Sequence, residues 1–178
     1  SLQKIVLMKK LHLPTIISVC LLLIMASCSK HNEALRMLTM AQQYVETSPD
    51  TALIYLDSIF MPEKFLKKER YMEYIVTRVQ ARYKNFYEIK EDTNIFETKT
   101  YFDKKARGSM LTVHSRRFYM YAHLYSGCVY DERGEYEKAL SDYKTAFSMA
   151  ESMNDSTYMW RINNYIGNVF SEKTYWKE

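Results

Sequence analysis

Apolar positions recur every three or four residues along most of this chain, the spacing of one helical face. Asn32, a residue suited to a helix N-cap, opens such a pattern with Ala34, Leu35, Leu38, Ala41 and Val45. Thr47-Ser48-Pro49-Asp50 interrupts it and starts another helix, with Ser48 as cap and Pro49 at the first helical position. Ala52, Leu53, Leu56, Ile59 and Phe60 form its stripe, and Met61-Pro62 ends it. A long helix is predicted from about Glu63 to Phe86, with Phe65, Leu66, Met72, Ile75, Val76, Val79 and Tyr83 inward and Lys67, Lys68, Glu69 and Arg70 outward. A fourth is predicted from about Asp92 to Lys105, despite the mediocre helix formers Thr93, Thr98 and Thr100. Arg107-Gly108-Ser109 closes this half.

In the second half, Tyr136, Ala139, Leu140, Tyr143, Ala146, Phe147 and Ala150 form one apolar face over four turns, with alanines where a neighbour can approach closely. Before it, Gly127 places a small residue within a helix, and Gly134 marks the turn between two. The pattern then recurs. Gly127 to Gly167, Tyr130 to Phe170 and Tyr136 to Trp176 are each 40 residues apart. Asp155 or Ser156 can cap the intervening helix.

The stretch from Met120 to Glu151 resembles a tetratricopeptide repeat (TPR), a helix-turn-helix unit of about 34 residues. Gly127, Tyr130, Gly134, Tyr136, Ala139, Tyr143 and Ala146 occupy that family's small, aromatic, turn, aromatic, alanine, aromatic and alanine positions. His123 and Ser126 stand where Trp or Leu and Leu are usual, and Glu151 replaces the common proline. The resemblance implies an all-α fold of antiparallel helix pairs stacked as a right-handed TPR-like α-solenoid. Residues 32–110 are then degenerate TPR-like helix pairs, and residues 111–178 hold one repeat plus the start of the next. The alternative for the first of these regions is an unrelated helical bundle. The second copy ends at Glu178 before its second helix, so the sequence is expected to be truncated at its C-terminus.

Ahead of the helices, Lys4, Lys9 and Lys10 precede an apolar segment from Leu13 to Met25, followed by Ala26, Ser27 and Cys28. Basic, apolar and small is the order of a secretory signal. Spanning a bilayer takes about 20 apolar residues, and this shorter run is broken by Pro14, Thr15 and Ser18. Met25-Ala26-Ser27-Cys28 resembles the box of a bacterial lipoprotein signal, with methionine where leucine is commonest. The resemblance implies that residues 1–27 are a leader and signal peptide, with Met8 its natural start. Cys28 becomes the lipid-attachment residue, carrying a diacylglyceryl thioether and an N-acyl chain such as palmitate. Residues 28–31 form a short lipidated tether, and the protein is lipid-anchored in the bacterial cell envelope, extracytoplasmic. An ordinary secretory signal and an uncleaved anchor are the competing readings.

Composition changes in meaning once that leader is set aside. Residues 1–27 hold three lysines and no acid, so the formal charge falls from +4 for the chain to +1 for the rest. That balance gives no support to nucleic-acid binding. With Cys28 acylated, Cys128 has no disulfide partner and stability falls to packing. The sequence contains no HExxH, no CxxC, no GxxxxGK[ST], no GxGxxG and no GxSxG, and His31, His114 and His123 include no i, i+4 pair. No catalytic residue, metal or cofactor is therefore expected, and the chain reads as non-enzymatic. The cluster Lys104, Lys105, Arg107, Arg116 and Arg117 is read as a solvated turn, with attraction to an anionic headgroup or acidic partner as the other possibility.

TPR proteins bind partners in a concave groove. Projected onto this sequence, the family's groove positions are Tyr121, Leu124, Tyr125, Cys128, Asp131 and Glu132 in the full repeat. Arg161, Asn164, Tyr165, Asn168 and Glu172 follow in the next, where Asn164 and Asn168 share a helical face. The expected function is a membrane-tethered module for protein or peptide binding. The segments ETSPDTALIYLDSI and ERYMEYIVTRVQARYKNFY, followed by repeats, also resemble the extracytoplasmic sensor part of TPR-containing bacterial signalling regulators. An outer-membrane assembly scaffold and a glycan-capturing lipoprotein are the alternatives. The last of these would use exposed tryptophans, of which only Trp160 and Trp176 exist.

Overall fold

The computed structural model describes residues 29–175, which are all-helical with no strand. The segment expected to be a signal peptide, Cys28 and Trp176 lie outside the described residues. Helix α1 covers 29–44, followed by α2 (Pro49–Asp57), α3 (Pro62–Phe65), α4 (Lys68–Lys84), α5 (Asn94–Arg107), α6 (Val113–Glu132), α7 (Tyr136–Ser152) and α8 (Ser156–Tyr175). None of the described helices is long and apolar enough to cross a membrane.

Several boundaries differ from the periodicity. Asn32 lies inside α1 rather than capping it. Helix α2 stops at Asp57, so Ile59 and Phe60 belong to the following turn. The long helix expected from Glu63 to Phe86 is two helices, because Leu66 is extended (φ −97°, ψ 136°) and its buried side chain joins the core of α1 and α2. Burial of one leucine contributes about 2 kcal/mol, enough to interrupt a helix at a modest cost in hydrogen bonds. Ser48 and Pro49 do start α2, although the Ser48 hydroxyl bonds Asp50 and Thr51 side chains rather than a backbone N–H. Asp155 caps α8, its Oδ1 accepting from the Tyr158 N–H at 3.2 Å.

Helices α4, α5, α6 and α7 end in the same way. In each, the N–H of the residue in the left-handed region and that of its successor bond back into the last turn, the Schellman arrangement. The left-handed residues are Phe86 (φ 59°), Ser109 (φ 54°), Gly134 (φ 70°) and Asn154 (φ 53°).

Helix α2 packs on α4, α4 on α5 and α6, α5 on α6, α6 on α7, and α7 on α8. Two apolar clusters fill the spaces: Ala34, Leu38, Ala41, Ala52, Leu56, Leu66 and Ala81 at the N-terminal end, and a larger one spanning α4 to α8. Helices α6 and α7 approach each other closely. A Cβ on Gly127 would lie 2.5 Å from Tyr143 Cε1 and 2.6 Å from Cδ1, so only glycine admits that buried ring.

Candidate functional site

The site forms where α4 ends. Helix α4 is terminated at position 86 by a phenylalanine in the conformation that glycine adopts without penalty, which costs a non-glycine residue about 1–2 kcal/mol. Phe86 recovers none of this by packing, since it is 98% exposed. The loop carrying it is held from both sides. Arg82 Nε donates to Asp92 Oδ2 at 2.8 Å and its Nη2 to the Glu88 carbonyl at 2.9 Å. Ile89 is buried, and its backbone N–H donates to Glu132 Oε2 at 2.7 Å. An aromatic side chain is thus presented to solvent on a pinned loop.

Beside it lies a cleft of about 730 Å³ lined by Tyr83, Lys84, Phe86, Tyr87, Glu88, Glu132 and Tyr165. Its floor is a tyrosine cluster. The Tyr83 ring meets Tyr165 edge-on at 5.8 Å and Tyr125 at 6.1 Å, and Tyr165 stacks on Tyr143 at 5.7 Å. Burial raises the pKa of Tyr83 far above the ordinary phenol range and that of Tyr165 to about 12, so both phenols are neutral at physiological pH.

An acidic pair lies against the tyrosine cluster. Asp131 is half-buried and accepts from the Tyr143 hydroxyl at 3.2 Å, while its Oδ1 is buried with no hydrogen-bond partner. Burial first, then the nearby Glu172 carboxylate, pushes its pKa up to about 6, against the lowering effect of the Tyr143 bond. On the other side Glu46, in the turn after α1, ties three parts of the chain together. Its carboxylate accepts from Gln80 (2.5 Å) and Lys84 (2.8 Å) of α4, and from Arg161 (3.1 Å) and Tyr158 of α8. Burial alone would raise its pKa, but the Lys84 and Tyr158 bonds and the two cations outweigh that and hold it below the ordinary glutamate range.

That closure decides where the expected groove residues fall. Helix α8 reaches across to α4 and to Glu46, and four of the six positions projected as groove on α6 are buried. Leu124, Tyr125 and Cys128 are buried in the core, and Tyr121 packs against Phe118, Tyr125 and Tyr158. Glu132 and Tyr165 line the cleft, Asp131 and Glu172 interact beside it, and Arg161 serves the Glu46 junction. Asn164, Asn168 and Glu172 are exposed on α8. Tyr83 and Lys84 at the end of α4, and Phe86, Tyr87 and Glu88 in the loop after it, were not among the expected residues, because the groove was projected from positions on α6 and α8 alone.

No group of three or more metal-ligating side chains converges among the described residues. The Cys128 thiol is pushed up to about 12 by burial, which keeps it protonated and non-nucleophilic. His123 sits between two carboxylates, Nδ1 at 3.0 Å from Asp142 and Nε2 at 3.1 Å from Asp103. Asp142 also accepts from Ser126 at 2.6 Å and from Lys99 at 2.7 Å. Ser126 donates to that carboxylate and is fully buried, so the group joins α5, α6 and α7 rather than presenting a nucleophile. Trp160, 68% exposed on α8, is not part of the cleft.

Neither a protein-family model, nor a curated protein, nor a solved structure matches the chain.

Proposed function

We propose that this chain is a non-enzymatic, membrane-tethered binding module. It is built as a right-handed TPR-like α-solenoid and receives a protein or peptide segment in the cleft between the 85–93 loop and α8. The alternating helix contacts and the Gly127–Tyr143 approach support the solenoid reading. The observation that carries the function is Phe86, an aromatic residue kept at a conformational cost and in full exposure on the rim of a tyrosine-lined cleft. Strain retained without packing benefit argues for a role outside the fold. Exposed aromatics on a rigid frame are the usual anchors of a binding surface. The tether is Cys28, with the helices beginning at its next residue.

The test is a random-sequence peptide library displayed against the full chain. Selected peptides are expected to lose at least about tenfold in affinity with Tyr165→Ala or Tyr87→Ala, since a central aromatic contact contributes about 2 kcal/mol. Trp160→Ala, outside the cleft, should leave affinity unchanged. Peptides indifferent to both cleft substitutions would place the binding surface elsewhere.

A further inference from the structure

We infer that the end of the molecule opposite the cleft is a docking surface for an anionic lipid bilayer. Helices α4 and α6 run side by side in the same direction. His114, at the start of α6, contacts Arg70 and Glu73 near the start of α4, whereas Tyr125 meets Tyr83 near the end of α4. The turns leading into α4 and α6 therefore lie together, away from Phe86.

These two turns carry the largest concentration of exposed apolar tips outside the cleft. Phe60 is 64% exposed, Met61 43%, Met110 61% and Val113 85%. Met61 holds a left-handed conformation (φ 44°), as does Ser109 (φ 54°) next to Met110. Around them, residues 58–68 and 104–117 contain eight lysines and arginines and a single acid, Glu63. Among the described residues Lys67, Lys104, Arg107 and Arg116 have no carboxylate partner, although Lys68, Lys105 and Arg117 do.

The apolar tips alone would suit any hydrophobic partner, but their basic surround and the route of the chain favour a bilayer. Lys30 Nζ lies 5.4 Å from the Phe65 ring and 5.8 Å from that of Phe60, and His31 Nδ1 is 2.6 Å from the Phe65 carbonyl. The apolar sequence Leu13–Met25 and Cys28 therefore join the molecule at this same end. Apolar side chains inserting at the headgroup boundary and lysines or arginines meeting anionic lipid are the two contributions to interfacial binding. With this end down, the Phe86 cleft faces away from the membrane.

The inference rests on the tethered reading, and the test separates the two. In the full chain with Cys20 and Cys28 replaced by serine, an environment-sensitive fluorophore is attached through Val113→Cys or, at the other end, Phe86→Cys. Vesicles are neutral phosphatidylcholine, or phosphatidylcholine with one third phosphatidylglycerol, with or without nitroxide-labelled lipid. On phosphatidylglycerol vesicles, the label at 113 is expected to shift to the blue and be quenched several-fold more than that at 86. Arg107→Gln with Arg116→Gln should reduce the population quenched at 113 by roughly 25-fold, at about fivefold for each basic residue.

No quenching at 113, with or without co-flotation, overturns the docking surface and leaves the tether standing. The tether is read separately, because fatty-acid labelling of the parent chain that persists undiminished in Cys28→Ser overturns it. Quenching at 86, or equal quenching at 113 on neutral vesicles, overturns the orientation or the charge argument. A concentration-dependent blue shift at 113 without lipid assigns the surface to a second protein molecule instead.

Discussion

Gly127→Ala and Gly167→Ala are the same substitution at positions 40 residues apart in the repeating pattern, and the structure gives them opposite signs. At Gly127 the new methyl would lie 2.5, 2.6 and 3.2 Å from three ring carbons of Tyr143. That ring cannot easily yield. It is fully buried, stacks on Tyr165 at 5.7 Å, and its hydroxyl donates to Asp131 at 3.2 Å. Overpacking of this kind costs about 1–3 kcal/mol, and a displaced hydroxyl loses about 1 kcal/mol more. Alanine returns about 1 kcal/mol of helix propensity, so the net expectation is a loss of about 2 kcal/mol. At Gly167 nothing lies within 4 Å of the added carbon. Only the propensity gain is left there, about 0.5–1 kcal/mol. Urea unfolding followed by far-UV circular dichroism measures both as midpoint shifts at constant slope. In heat, Gly127→Ala should lower Tm by about 4–8 °C. Tyr143→Leu in the Gly127→Ala background should show favourable coupling of about 1 kcal/mol, because the leucine lacks the ring atoms in collision. A Gly127→Ala protein as stable as the parent would refute the claim that α6 and α7 meet through that ring.

Two titrating carboxylates give pH signatures of opposite sense. The Asp131 pKa, raised to about 6 by burial and then Glu172, means that its favourable contribution is complete below about pH 4 and lost as pH rises through 6. A shift of about two units is worth about 3 kcal/mol, and about 1 kcal/mol is expected after allowing for solvent screening of this half-buried group. Asp131→Asn should therefore stabilise by about 1 kcal/mol at pH 7–8, with the gain vanishing toward pH 4 in pH-resolved urea melts. Glu46 behaves the other way. Its depressed pKa makes its bonds to Lys84, Tyr158 and Arg161 stabilising above the ordinary glutamate range and lost as pH falls through it. Glu46→Gln should cost about 1–2 kcal/mol at pH 7, the difference closing as pH falls below the ordinary glutamate range and through the depressed pKa of the folded state.

What the sequence made legible follows from what periodicity measures. The second half was readable because its face is continuous from Tyr136 to Ala150 and its turn carries a true glycine in the left-handed position, Gly134. In the first half a glycine misdirects. Gly108 has φ −82°, and the left-handed residue is its neighbour Ser109. The break at Leu66 was hidden because an extended leucine feeding the core of α1 and α2 sits at the same spacing as a helical one. The site was less legible than the fold. Glu132 and Tyr165 were found from repeat positions, but Tyr125 and Cys128 were projected as groove and are buried, since α8 crosses to α4 through pairs such as Tyr83–Tyr165. Contacts between residues more than 80 apart leave no mark on local spacing. Phe86 gave no signal at all, because phenylalanine is not a helix-ending residue and only the backbone angle shows that it acts as one.

Phe86→Gly tests the central claim in one variant with two readouts. Glycine relieves the left-handed backbone at a side chain that is 98% exposed, so urea melts should show about 1 kcal/mol of added stability. Affinity for a peptide selected on the parent chain should fall by roughly 30-fold, equivalent to about 2 kcal/mol. A more stable protein that binds as before would contradict the assignment of Phe86 to binding, and a less stable one would contradict the claim that its strain has no structural return.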